Sequence, residues 1–345
     1  MPELTDILDA IEERAERGEQ MALATIVATR GSTYRRAGAR LLIPAEGEPV
    51  GNISGGCLEG DVARIGREVM AAGQPRVVEF DLTAEDDAVW GYGLGCNGGI
   101  ELYVEPTAGV IQHAARLRTA LNGEPTVLST VISGTRAGDR WSGTDGAAAA
   151  ALRDGSPRVV EESGERVFHE PLLPPMRLIV CAAGHDVIPL VRQASELGWR
   201  VTVADVRRKL LSHDRFPGAA DFCDADPERA AETMRPGPRD AVVLMSHNLL
   251  RDQAYLDSFL GTDPPPAYLG VLGPRGRTEQ MLAELGRPEA IGRLHAPAGL
   301  DIGAEGPEEV ARAIIAEILA VTRGRDGGPL RDRRGPIHES GQPPM

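Results

Sequence analysis

The chain has 345 residues, 42% of them apolar, with 37 basic against 51 acidic side chains and a formal charge of -14. At roughly 150 residues per domain this length calls for two domains, and the acidic balance excludes duplex nucleic acid as a partner, because phosphate binding needs concentrated Lys and Arg. No window approaches the roughly 18 uninterrupted apolar residues that span a bilayer, and the N-terminus lacks the layout of an export signal, so a cytoplasmic protein without a membrane partner is expected.

Leu4, Ile7, Leu8, Ile11 and Ala15 recur at helical spacing over Pro2–Arg17, and Gly18 ends that helix. The apolar, partly β-branched run MALATIVAT, the polar GSTYRRAGA and then RLLIP read as strand, loop, strand. GNISGGCLEG follows, and Leu58, Val62, Ile65 and Val69 mark a helix closed by Gly73. RVVEFDL and IELYVEP are further strand candidates, separated by DDAVWGYGLGCNGG. Together residues 1–106 form a mixed α+β domain. Residues 107–175 carry weaker signals: a helix at Val110–Leu121, a strand at Thr126–Ser133 and an irregular connection through AGDRWSGTDGAAAAALRDGSP.

From 176 to 322 apolar strands and helices alternate (RLIVC, DVIPLVRQASELG, RVTVADV, DAVVLMS, AYLGVLG), which predicts a Rossmann-like, doubly wound parallel sheet. Pro307 opens the last helix. Residues 323–345 are rich in Gly, Pro and charge, the composition of a disordered tail.

RLIVCAAGHDVIPL has the layout of a first βαβ unit, but its fingerprint positions are Ala182, Gly184 and Val187, so one glycine of three is kept. Gly184 would lie at a helix N-terminus suited to a phosphate. Asp205, 21 residues later, ends the second strand, where a carboxylate can accept a ribose hydroxyl. His185, Ser246, His247, Gly273, Arg275 and Arg277 fall at carboxyl ends of strands, where open α/β sheets bind ligands, and the two arginines beside a glycine turn suit an anion.

The four cysteines, Cys57, Cys96, Cys181 and Cys223, form no CxxC pair, which argues against a disulfide framework and a local zinc site. Cys57 and Cys96 are each flanked by glycines (SGGCLEG and GLGCNGG), which clear side-chain bulk and let a ligand approach. Cys57 also precedes a helix, a position that favours thiolate. Cys181 and Cys223 read as strand-associated core residues.

GSTYRRAGARLLI, GNISGGCLEGDV, WGYGLGCNGGIELYVEP, RLIVCAAGHDVIPL, YLGVLGPRGRT and HAPAGLDIGAEGPEEVARAIIAEILA, in this order, resemble the XdhC/CoxI family of accessory proteins for xanthine dehydrogenase and related molybdenum hydroxylases. The resemblance implies a chaperone that binds the molybdenum cofactor (molybdopterin, with or without a nucleotide extension), supports its sulfuration with a cysteine desulfurase and delivers it to the apo-hydroxylase. It implies an accessory factor rather than a catalyst. In that reading Cys57 addresses the cofactor first, with Cys96 as the second thiol, Glu59 orienting or protonating, and Gly55, Gly56 and Gly95 giving access. The chain departs from the family pattern at Ala182, where a glycine is usual, and at Gly276, in a turn often richer in Arg. Two other readings remain: an NAD(P)-dependent oxidoreductase using the second domain, and an interaction protein without a small-molecule ligand. A homodimer is compatible with any of them.

Overall fold

The run Met21–Thr29 is apolar at odd and even positions alike, which an antiparallel strand accommodates only when both of its faces are covered. The computed structural model describes residues 2–31, 33–81, 98–224 and 226–334 and has this arrangement. The chain divides into two units, Met1–Pro174 and Pro175–Met345.

In the amino-terminal unit, α1 (Pro2–Glu16) leads into β1 (Met21–Gly31), β2 (Arg40–Pro44), β3 (Val50–Gly51), α2 (Glu59–Ala72), β4 (Arg76–Asp81) and β5 (Gly98–Pro106). The strands form an antiparallel sheet in the order β3-β2-β1-β5-β4. Ala22, Ala24 and Ile26 meet Val62, Ile65 and Val69 of α2 on one face. Met21 and Leu23 meet Ile7, Leu8 and Ile11 of α1 on the other, together with Val110, Ala114 and Leu117 of α3 (Thr107–Leu121).

A second antiparallel sheet, β7-β6-β9-β8, is built from β6 (Thr126–Val131), on the strand expected at Thr126–Ser133, with β7 (Arg140–Gly143), β8 (Arg158–Glu162) and β9 (Glu165–Leu172); the segment expected as an irregular connection holds β7 and α4 (Gly146–Asp154). The helix is the alanine run. Five consecutive alanines have no apolar periodicity to read, yet alanine is the strongest helix former, and Ala148 and Ala151 are buried.

The two sheets of this unit are tied by charge as well as by the small apolar cluster of Val27, Tyr103, Ile132 and Phe168. Arg40 of β2 pairs with Glu170 of β9, both buried. Arg140 Nη2 of β7 lies 2.5 Å from Glu105 Oε2 of β5, and His113 Nδ1 of α3 lies 2.7 Å from Glu105 Oε1. Burial raises the pKa of Glu105, but His113 and Arg140 pull harder, so the carboxyl titrates below its ordinary value of 4.5. Burial lowers that of His113 in spite of the Glu105 carboxylate beside it.

The carboxy-terminal unit contains β10 (Arg177–Cys181), α5 (Val187–Glu196), β11 (Arg200–Ala204), β12 (Asp221–Cys223), α6 (Ala230–Met234), β13 (Ala241–Leu244), α7 (Leu249–Leu260), β14 (Tyr268–Val271), α8 (Arg275–Glu284) and α9 (Pro307–Thr322). Its sheet is parallel throughout, in the order β12-β11-β10-β13-β14, the expected doubly wound arrangement. Helices α5 and α9 cover one face; α6, α7 and α8 cover the other. Ala182 and Val187, at two fingerprint positions, are buried in the first of these cores. Beyond β14, His295 bridges Gly270 in parallel and extends the sheet edge. Among the described residues no helix is long and apolar enough to cross a membrane.

The buried Glu105 group is expected to govern acid stability. Its folded-state pKa lies below the ordinary one, so the unfolded chain takes up the proton first; the contribution is complete above about pH 4.5 and is lost as the pH falls below it. Glu105→Leu leaves Arg140 buried without its partner and should cost about 3–5 kcal/mol in chemical denaturation; a loss well under 1 kcal/mol would remove this pair from the account.

Candidate functional site

Helix α2 starts one turn after the glycine pair, and the loop ahead of it is organised from inside. The Ser54 side chain is buried, and its hydroxyl donates to Glu59. The Ser54 N–H donates to Glu59 Oε1 at 2.9 Å, and the Leu58 N–H lies 3.2 Å from both Glu59 Oε2 and Ser54 Oγ. Gly56 N–H also donates to Ser54 Oγ at 3.2 Å. Serine and glutamate thus collect the amides of the loop that leads into the helix, up to that of Leu58, the residue before its first turn. Burial raises the Glu59 pKa, but the Ser54 hydroxyl and the backbone donors outweigh it, so the group titrates below its ordinary value. Glu59 is therefore a charged acceptor engaged by its own loop, with no proton to lend at neutral pH.

With serine and glutamate turned inward, the rest of the loop faces out. Cys57 is a free, exposed thiol. Gly56 has φ 107°, a conformation that favours glycine, and among the described residues a Cβ at Gly55 or Gly56 would meet no atom within 4 Å. β3 and β4 end, and β2 and β5 begin, in the direction in which β1 runs, but the register sets them apart: Gly51 lies opposite Leu41, which pairs with Ala24, whereas Gly98, like the neighbouring Asp81–Gly99 pair, lies at the far end of β1, opposite Gly31. Gly95 and Cys96 lie outside the described residues.

In the second unit strand order reverses between β10 and β13, so the ligand crevice of such a sheet lies at their carboxyl ends. The loops after β10, β11, β13 and β14 are held by internal carboxylates. Asp205, after β11, accepts the Ala183 N–H on Oδ2 at 2.9 Å, the Arg207 N–H on Oδ1 at 2.8 Å, and the Arg207 guanidinium on both oxygens at 2.9 and 2.7 Å. Burial raises its pKa, and the Arg207 hydrogen bonds more than reverse this. The oxygens expected to meet a ribose are thus engaged within the protein.

Asp252, fully buried in the first turn of α7, accepts the Ser246 N–H at 3.0 Å and Arg277 Nη2 at 2.6 Å. Arg277 also donates to the Leu272 carbonyl, and Gly273, at φ 119°, leaves room for its side chain: a Cβ there would lie 3.3 Å from Arg277 Nη1. Arg275 pairs instead with Glu279 at 2.8 Å on the exposed side of α8. Residues two apart on a helix do not share a face, so Arg275 and Arg277 do not converge on one anion. Ser246 Oγ donates to the Asn248 carbonyl, and Asn248 caps α7 by accepting from Arg251 N–H.

Gly184 and His185 lie where expected, before α5, with His185 exposed. His247, in the β13–α7 loop, has its Nε2 2.6 Å from Oδ2 of Asp186. A third internal carboxylate, Glu317 of α9, accepts Tyr268 Oη–H at 2.6 Å and Gly299 N–H at 2.7 Å, with His295 Nδ1 at 3.3 Å and the His295 ring stacked on Tyr268.

Ser54, Asp186, Asp252 and Glu317 escape sequence reading, because an acid within a helical charge pattern looks like a solvated face. The one legible trace is the serine ahead of Glu59, in the spirit of a capping box. Among the described residues no group of three or more His, Cys, Asp or Glu side chains is arranged to hold a metal ion.

Residues 178–318 match the model of the XdhC Rossmann domain, and residues 14–81 that of the XdhC and CoxI family. The first span includes every carboxyl-edge loop of the parallel sheet; the second contains the Cys57 loop. The chain is 32% identical over 330 residues to a Bacillus subtilis (strain 168) protein named as a probable xanthine dehydrogenase subunit, covering 91% of this chain and 96% of that one. It is 25% identical over 328 residues to the molybdenum cofactor insertion chaperone PaoD of Escherichia coli (strain K12), covering 91% and 87%. A crystal structure described as a xanthine dehydrogenase from Bacillus halodurans matches with a TM-score of 0.75 at 31% identity, covering 94% of this chain and 98% of that one.

Exposure should separate the cysteines chemically. Cys181 is buried, and burial pushes its thiol pKa well up, whereas Cys57 stands in the open. Titration of the native protein with Ellman's reagent should lose a fast-reacting thiol in Cys57→Ala and keep it in Cys181→Ala. Unchanged fast kinetics in Cys57→Ala would contradict the open loop.

Proposed function

Because the chain belongs to the XdhC and CoxI family, we propose that it is a maturation factor for a molybdenum hydroxylase of the xanthine dehydrogenase type, one that holds the molybdenum cofactor and passes it to the apo-enzyme. The observation that carries this reading is the exposed Cys57 thiol at the N-terminus of α2, in a loop cleared by Gly55 and Gly56 and stiffened by Ser54 and Glu59. A soft thiolate suits a molybdenum centre with sulfur ligands, and a glycine-cleared approach suits a bulky, planar guest. The cofactor, when bound, supplies a metal centre that exchanges a terminal oxygen for sulfur.

The protein's own part is binding and orientation. Cys57 meets the soft end, and Glu59 keeps the loop in register without donating a proton. Sulfuration with a cysteine desulfurase, and Cys96 as a second thiol, belong to the same proposal. PaoD, named as an insertion chaperone, supports this role. The reading as an NAD(P)-dependent oxidoreductase has the parallel sheet in its favour, but the carboxylate that would meet the ribose, Asp205, is engaged by Ala183 and Arg207.

Purified protein should bind isolated molybdenum cofactor at about one equivalent, and Cys57→Ala should lower binding or hydroxylase activation about tenfold or more, the loss of one direct ligand contact. If Cys57→Ala matures the apo-hydroxylase as well as the wild type does, the thiol has no role in transfer.

A further inference from the structure

A dinucleotide in a parallel sheet of this order uses two anchors: the N-terminus of the first crossover helix for its pyrophosphate and a carboxylate at the end of the second strand for its ribose. The second anchor is engaged here, since Asp205 bonds to Ala183 and Arg207. The first carries a charge of its own. Asp186, the residue before α5, folds its carboxylate over Gly184 so closely that a Cβ on Gly184 would lie 2.3 Å from Asp186 Oδ1. That glycine is where the backbone would otherwise be approached by a phosphate.

Asp186 is held there from across the strand-order reversal. His247, from the loop after β13, places Nε2 2.6 Å from Asp186 Oδ2. His247 adopts φ 56°, a left-handed conformation uncommon for a residue with a Cβ, and its side chain is 65% exposed. A strained, largely exposed histidine fills no core, so its contact with Asp186 is the interaction that this loop conformation makes.

We propose that Asp186 and His247 are specificity-determining residues of the carboxy-terminal unit. Asp186, pinned by His247, keeps a fixed negative charge at the α5 N-terminus and bars phosphoanhydride ligands, NAD(P)-type dinucleotides among them. The crevice admits only ligands that place no phosphate at that point. This holds whether or not Cys57 receives a cofactor, because it depends on the second unit alone.

The test is calorimetric titration of the full chain with inorganic pyrophosphate and with NAD⁺ at constant ionic strength. The wild type should show no saturable binding of either up to millimolar concentrations. Asp186→Asn, which keeps the shape and drops the charge, and Asp186→Gly, which also uncovers Gly184, should bind pyrophosphate about tenfold or more tightly than the wild type. His247→Gly releases Asp186 without removing its charge and should give a smaller gain. The proposal is overturned if the wild type binds NAD⁺ or pyrophosphate saturably, or if both Asp186 variants, with circular dichroism and thermal midpoint like the wild type, bind pyrophosphate no better. Because Asp186→Asn is isosteric at a partly exposed position, its folding does not depend on the same argument as that of Asp186→Gly.

Discussion

The loops of this protein depend on one recurring interaction: a carboxylate, largely withdrawn from solvent, that collects backbone amides from a neighbouring turn. Glu59 takes those of Ser54 and Leu58, Asp205 those of Ala183 and Arg207, Asp252 that of Ser246, and Glu317 that of Gly299. An ionised acceptor makes hydrogen bonds stronger than neutral ones, and withdrawing a turn's amides from water is tolerable only when each finds a partner. In three of the four a second residue completes the balance: Arg207, Arg277, or Tyr268 with His295. The turns at strand ends are therefore set by fixed internal charges, with little left to the ligand.

The same device has opposite consequences in the two units. Around Cys57 it turns serine and glutamate inward and leaves the thiol and two bare glycines facing solvent. At the carboxyl edge of the parallel sheet it consumes the groups that a dinucleotide would use. Fold alone would have suggested hydride chemistry; the disposition of the carboxylates argues against a dinucleotide held in the usual way. A shared fold fixes where a site can lie, and the side chains there decide what it accepts.

Much of the architecture was legible because period and burial coincide. The continuous apolar strands of the second unit, the double-faced MALATIVAT strand and the apolar spacing of α2 all follow from where hydrophobic residues recur. Residues 107–174 were less so: short strands such as RWSG offer no alternation, and the alanine helix offers no contrast. Of the site, the Cys57 loop was readable from its glycines and the helix that follows. The pairing of Arg275 and Arg277 was not legible: they are close in sequence, but one meets Glu279 on the exposed side of α8 and the other the buried Asp252.

The sequence by itself determined the local features: the helical and strand periodicities, the glycine-flanked thiol at a helix start, and a first βαβ unit with a depleted fingerprint. Those depend on neighbours along the chain. Tertiary structure alone decided which charges are partners. Arg40 and Glu170 are 130 positions apart, His247 and Asp186 61, and Ala183 and Asp205 22. Electrostatic pairing acts through space and depends on burial, so whether a carboxylate is free for a ligand or already satisfied is settled only when the strands have brought its partners to it.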